Sequence, residues 1–355
     1  MIFRYIIAFF NRRFAQPNSN FNLKVVIAII AIICYSTSGY MYFEIGQKPD
    51  LTWSDALWWS VVTMTTVGYG DHFPTSYWGR FAVGLPTMLF GISILGYLLS
   101  TVASYLIEAK SKELKGMKQI ENTGHILLVH YANLNRVLDL IRQLQADVKT
   151  AEKAVVLVDN ELEELPPELD ELGVRFIRGN PARRSTLEQA NIEDATHAII
   201  LSKNPQDVRS DDLTLAVCLA IESLHADVLT IAECVDAESI ESIRRTGCDS
   251  VVCVSRFSDS LLVQELLDPG VQEVVEELTH VRGKQMFVQR ISEMKEWLAS
   301  ELRSWMEGKD MLLIGVKQRE SGKLLLDPSD TMEIKEGDQA IFIGCNRPTE
   351  IATNA

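Results

Sequence analysis

The chain has 355 residues, with 34 Lys and Arg against 48 Asp and Glu, a formal net charge of −14. That length buries an ample core and allows two or three domains, and 23% charged residues with a mean hydropathy of +0.05 exclude a disordered chain. Residues 1–118 hold ten basic and six acidic side chains and the remainder 24 and 42, which points to a membrane-attached front and a water-soluble back, and against nucleic acid as a partner because an acidic surface repels phosphates.

The opening segment, residues 1–23, is apolar with interrupting Arg4, Arg12 and Arg13; it reads as a cytoplasmic tail or a helix lying along the inner interface. Nineteen uncharged residues then separate Lys24 from Glu44, and 27 separate Arg80 from Glu108. Each reaches the length of about 20 residues that a bilayer-spanning helix needs. These predict spans over 25–43 and 81–107 in a multi-pass protein of the cell (inner) membrane. Basic residues flank the pair on the outside (Lys24 before; Lys110, Lys112, Lys115 and Lys118 after), which places both termini in the cytoplasm.

Between the spans lies an apolar stretch from Ala56 to Gly70, bounded by Asp55 and Asp71. Fifteen residues cannot cross and return as helix, so 55–71 is expected to be re-entrant. Its second half contains Thr66-Val67-Gly68-Tyr69-Gly70, the TVGYG pattern by which potassium selectivity filters are known, so this assignment is recognition of a pattern. The chemistry is coherent. A dehydrated K⁺ needs a cage of oxygens, and successive carbonyls face one axis only where the backbone alternates in hand, which Gly68 and Gly70 allow. Trp58 and Trp59 are expected to pack behind Tyr69, with Asp71 as further filter support. One chain supplies one wall, so a homotetramer in the lipid bilayer is implied.

The stretch from Ala56 to Asp71 resembles the pore of prokaryotic two-transmembrane potassium channels. Where some members carry a glutamate behind the filter, Val62 stands here, so the resemblance leaves Asp71 without that partner. In the second span, Pro86 and Gly91 are the candidates for a gating hinge, with helix packing as the competing reading.

From residue 124, short apolar runs alternate with helical stretches: His125–Val129, Ala154–Val158, Val174–Ile177, Ala198–Leu201, Val228–Ala232 and Ser250–Val254. That alternation predicts a Rossmann-like, doubly wound parallel sheet. The turn after the first strand, His130-Tyr131-Ala132-Asn133-Leu134-Asn135, lacks every glycine of a dinucleotide fingerprint, although Asp159 stands where an acidic residue would hold a ribose. Six cysteines are scattered without a CxxC pair and read as ordinary thiols.

The order of elements over 124–265, with Arg178-Gly179-Asn180-Pro181 after the third strand, resembles the regulator-of-potassium-conductance (RCK) domain, and the tail over 266–355 resembles its crossover and small α+β lobe. The resemblance implies a multi-domain α-helical pore over 24–107, a linker over 108–123, and a ligand-gated potassium channel subunit without enzymatic activity. Calcium-gated relatives bind metal at positions that match Ser202, Glu233 and Val235, of which only Glu233 is acidic. The regulatory ligand is therefore left open between Ca²⁺ or another divalent cation, with Glu233 as its contact, and NAD or another nucleotide, with Asp159. Gating rings of this family hold eight such domains. A soluble copy started at Met117, or a partner gene, would supply the four that a tetramer lacks; the alternative is a ring of four domains. The competing reading is a membrane-anchored NAD-binding regulatory subunit or oxidoreductase.

Overall fold

The computed structural model describes residues 19–281, 283–291 and 297–348, with the side chains of residues 19–24 left undescribed. The expected interfacial segment at the N-terminus lies outside the described residues. Two compact units meet between Lys110 and Ser111.

In the first unit, α1 (Ser19–Glu44) and the helical stretch from Gly79 to Leu114 are both long and apolar enough to cross a membrane. Between them lies α2 (Trp53–Met64), which starts at a reciprocal cap: Asp55 donates its N–H to the Thr52 hydroxyl, and Thr52 donates its own to the Asp55 carboxylate. The second long helix opens with a π-turn over Gly79–Gly84 and continues as α3 (Leu85–Leu114). Tyr40, Met41, Leu51, Ala56, Trp59 and Val83 form the core of this unit. Gly39 lets α1 approach the second helix closely, since a Cβ there would stand 2.7 Å from a Val83 methyl. Ser36 and Thr87 share a hydrogen bond of 2.8 Å, and Thr37 donates to Ser60 at 3.2 Å; such pairs join helices where no water competes.

The second unit contains β1 (Ile126–Val129), α4 (Leu134–Ala146), β2 (Val155–Asp159), α5 (Pro167–Glu171), β3 (Arg175–Arg178), α6 (Arg184–Gln189), β4 (His197–Ile200), α7 (Ser210–Leu224), β5 (Leu229–Cys234), α8 (Ser239–Arg244) and β6 (Ser250–Cys253). The six strands are parallel in the order β3-β2-β1-β4-β5-β6, so the order reverses between β1 and β4. All four residues of β1 and all five of β2 are buried, as expected of strands covered on both faces. Crevices at such a reversal are where doubly wound sheets place ligands.

Two helices follow, α9 (Val254–Leu267) and α10 (Val271–Thr279), and then an antiparallel lobe. Its four-stranded sheet runs β10-β9-β12-β7, made of β7 (Gln285–Arg290), β9 (Leu312–Lys317), β10 (Leu324–Leu326) and β12 (Gln339–Gly344). A two-stranded ribbon of β8 (Trp297–Leu298) and β11 (Glu333–Ile334), with α11 (Ala299–Glu307), closes its core around Phe287, Leu302, Met306 and Phe342.

Candidate functional site

The TVGYG loop leaves the C-terminal end of α2. The N–H groups of Val67 and Gly68 both turn back to the Val62 carbonyl, at 3.0 and 3.3 Å. Positive φ recurs at every second residue: Thr66 at 61°, Gly68 at 58° and Gly70 at 78°. The alternation in hand expected from two glycines therefore begins one step earlier, at a threonine. A β-branched residue in that region carries strain of about 1–3 kcal/mol, which persists only where the surroundings impose it. Val67 and Tyr69 lie exposed on the single chain.

Trp58 packs behind the loop as expected. Its ring stacks on Tyr69 with centroids 5.9 Å apart and planes 3° from parallel, and its Nε1 donates to Asp71 at 2.8 Å. Asp71 thus has a partner on the pore helix although Val62 replaces the family's glutamate. The expectation for Trp59 is corrected: it stacks on Tyr40 of α1, 4.5 Å between centroids, and not behind Tyr69. Neighbouring helical positions point about 100° apart, and here that turns Trp59 toward α1.

Glu44, which the sequence marked only as the end of a span, anchors the entry to the second helix. Fully buried, its carboxylate accepts from the N–H and hydroxyl of Thr75 (2.8 and 2.6 Å) and from those of Ser76 (2.9 and 2.6 Å). Gly79 makes room for it, because a Cβ there would collide with Glu44 Oε1 and Ser76 Oγ.

The two hinge candidates occupy different surroundings. Pro86 has no N–H, so the Ala82 carbonyl loses its helical partner; the Tyr35 hydroxyl of α1 donates to that carbonyl instead. Gly91 lies against the end of the pore helix, where a Cβ would stand 2.7 Å from Met64 Cα. Gly91 thus packs closely against the end of α2.

In the second unit, Asp159 ends β2 and is 2% exposed. Its carboxylate accepts from the backbone N–H groups of Tyr131 (3.0 Å), Glu161 (2.7 Å) and Leu162 (2.8 Å). It clamps the loop after β1 to the end of β2. His130, at a φ of 70°, is held through Nδ1 to the Leu201 carbonyl at 2.9 Å, and burial pushes its pKa below the ordinary value. Glu233, at the end of β5, is likewise engaged: Oε1 meets Arg136 Nη2 at 2.6 Å and Oε2 accepts the Ser202 N–H at 2.8 Å. Among the described residues no three His, Cys, Asp or Glu side chains are grouped to hold a metal.

The linker to the first strand is stitched to the second unit. Leu165 N–H donates to the Leu114 carbonyl at 2.8 Å, Arg178 N–H to Gly116 at 3.1 Å, and Ile120 N–H to Gln189 at 2.9 Å. Glu113 pairs with Arg175.

Residues 27–108 match the ion-channel family, residues 138–254 the TrkA-N domain, and residues 255–354 the family described as Castor and Pollux, part of voltage-gated ion channel. The chain joins an ion-channel domain to a TrkA-N domain. It is 26% identical to YugO of Bacillus subtilis, which carries a potassium-channel name, over 90% of this chain and 96% of that one. It is 24% identical to the calcium-gated potassium channel TvoK of Thermoplasma volcanium, over 91% and 92%. Among solved structures it is similar to the GsuK channel bound to NAD, at 18% identity and a TM-score of 0.43, covering 93% of this chain and 58% of that longer chain.

Proposed function

We propose that four copies of this chain surround a potassium-selective pore whose opening is set by cytoplasmic domains that bind a ligand of the Ca²⁺ or NAD type. The observation that carries the reading is the alternating backbone of the TVGYG loop at Thr66, Gly68 and Gly70. In this reading the carbonyls of Thr66, Val67, Gly68 and Tyr69 coordinate K⁺, Trp58 and Asp71 brace the loop, and Trp59 fixes the pore helix to α1. Conduction is passive and uses no catalytic residue. Both termini face the cytoplasm, in keeping with the distribution of basic residues. An oxidoreductase would leave the loop without a purpose.

Assembly agrees with what a single chain leaves uncovered. Val67 and Tyr69 are exposed, and α9 carries Phe257, Leu262, Val263, Leu266 and Leu267 exposed in one segment, more apolar surface than a free helix face in water ordinarily shows. Copies started at Met117 would complete a ring of eight domains. Met117→Ile should then remove a short species from a denaturing gel of the native gene's product and leave the full-length band.

The deciding experiment is K⁺ flux from liposomes containing the purified chain. At Gly68, with a φ of 58°, Ala would carry a backbone cost of about 1–2 kcal/mol per subunit. Gly68→Ala should lower K⁺ over Na⁺ selectivity by about tenfold or more while the protein still inserts. Unchanged selectivity in that variant, or no K⁺ flux through the wild type, would sink the reading.

A further inference from the structure

The end of β5 bears Glu233, the one acidic residue at the three positions that the resemblance to calcium-gated relatives marks, and the structure shows what it pairs with. Glu233 is 7% exposed, a position in which a carboxylate must be paired. Its partner is a guanidinium from another element: Arg136 stands in the first turn of α4, 97 residues earlier in the chain. The turn that presents it is fixed, because the Arg136 N–H donates to the capping side chain of Asn133 at 2.9 Å. The second carboxylate oxygen is held by the Ser202 N–H.

We propose that Arg136 is a tethered cation occupying the place of a divalent ion beside Glu233, so that this domain does not respond to divalent cations at the end of β5. Three features converge. Both carboxylate oxygens are already engaged, one of them at 2.6 Å by a full positive charge. The neighbouring acids are committed as well: Asp211 accepts the N–H groups of Val235 (2.8 Å) and Asp236 (2.9 Å), and Asp207 pairs with Arg209 at 2.9 Å. Ser202 contributes a hydroxyl where a second carboxylate would be needed. Its Oγ is buried and has no hydrogen-bond partner among the described residues. A hard divalent ion seeks about six or more oxygens; here it would find few, with a guanidinium of like sign beside them.

Arg136 is thus a specificity residue, and it narrows the proposed regulation to a ligand other than a divalent ion at this position. The inference rests on the reading of the domain as regulatory, but its test does not depend on conduction. Equilibrium binding of radioactive Ca²⁺ to the purified full chain, with Mg²⁺ as competitor, is measured for the wild type, Glu233→Gln, Ser202→Asp and Ser202→Asp/Arg136→Gln. The wild type and Glu233→Gln should bind Ca²⁺ alike. Ser202→Asp alone should gain nothing, because Arg136 neutralises the new carboxylate. The double variant should gain one ion per chain with affinity about tenfold or more above the single, and Ca²⁺ should raise its unfolding midpoint. Loss of wild-type Ca²⁺ binding in Glu233→Gln would overturn the proposal, as would equal affinity in the single and double variants. Should the double variant fail to fold, the comparison of wild type with Glu233→Gln still decides. Absence of K⁺ flux would count against the channel reading and leave this result standing.

Discussion

Replacing Glu44 by Gln tests whether a buried carboxylate holds the N-terminal end of the second long helix. The side chain is fully buried and accepts four hydrogen bonds, two from Thr75 and two from Ser76. An amide keeps one oxygen and turns an NH₂ group toward two donors. One of these is a hydroxyl, which can rotate and accept; the other is a backbone N–H, which cannot. One orphaned N–H costs about 1–3 kcal/mol, and the two surviving bonds, no longer charge-assisted, lose about 1 kcal/mol each. The sum is about 3–5 kcal/mol per subunit, and partial rearrangement of the loop places the expected loss near the lower figure. The assay is the temperature at which K⁺ flux through reconstituted channels is irreversibly lost, compared with loss of the assembled band on a detergent gel. Glu44→Gln should lower both midpoints, and Glu44→Asp should do nearly as much because its carboxylate is one methylene too short. A Gln variant as heat-resistant as wild type would refute the reasoning, since the four bonds would then contribute nothing that a neutral amide cannot supply.

Removing the hydroxyl in Tyr35→Phe leaves the Ala82 carbonyl unpaired and should destabilise by about 1 kcal/mol; Pro86→Ala restores the helical N–H, so the two changes should be clearly non-additive in a double-mutant cycle on unfolding. In the second unit, burial lowers the pKa of His130, and also those of His125 and His197, below the ordinary 6.5. The unfolded chain then binds more protons than the folded one in the window below 6.5, so stability should be full above that pH and fall as pH drops through it. His130→Asn, which suits a φ of 70°, should flatten part of that slope when unfolding midpoints of the purified full chain are read by far-UV circular dichroism between pH 5 and 8. An unchanged slope in the variant would remove His130 from the account.

The parallel sheet was legible because its inner strands β1 and β2, buried along their whole length, appear as continuous apolar runs, and all six runs overlap strands. β7 was not, because of its six residues Gln285–Arg290 only Phe287 is fully buried, so neither an apolar run nor a clean alternation marks it. The pore helix and its loop were legible for a different reason: the pattern is local, and Trp58, Tyr69 and Asp71 lie within fourteen residues of one another. Trp59 was not legible because two adjacent tryptophans look alike in sequence, while the step of about 100° between them turns Trp59 onto Tyr40 of α1. Glu44 and Arg136 were invisible to sequence reasoning because their partners lie 31 and 97 residues away. A charged residue at the edge of an apolar run signals a boundary; only the fold shows that it is buried and what it holds.

The positions of the linker and of Glu233 constrain how regulation could reach the pore-lining helix. Linker residues Glu113 to Gly116 attach at the β3 side of the sheet, through Arg175, Leu165 and Arg178. Glu233 lies on β5, four strands away in the order β3-β2-β1-β4-β5-β6. A hydrogen-bonded parallel sheet packed on both faces has little freedom to bend within itself, so a local shift at β5 is not passed along as a wave of small distortions. It must move the sheet as one body, or move α4, which Arg136 ties to β5 and which packs through Val137, Leu138 and Ile141 against Leu128, Leu157 and Phe176. The second route is the shorter, because Phe176 belongs to the same strand that receives the linker. The Arg136–Glu233 pair then ties α4 to β5 as well as standing in for an ion: whatever separates the pair frees a helix that packs against the strand receiving the linker. Arg136→Gln should therefore change the ligand dependence of K⁺ flux even where it binds no ion, whereas a substitution confined to the exposed face of α4, such as Arg142→Gln, should not. Identical ligand dependence in both variants would show that α4 carries no signal.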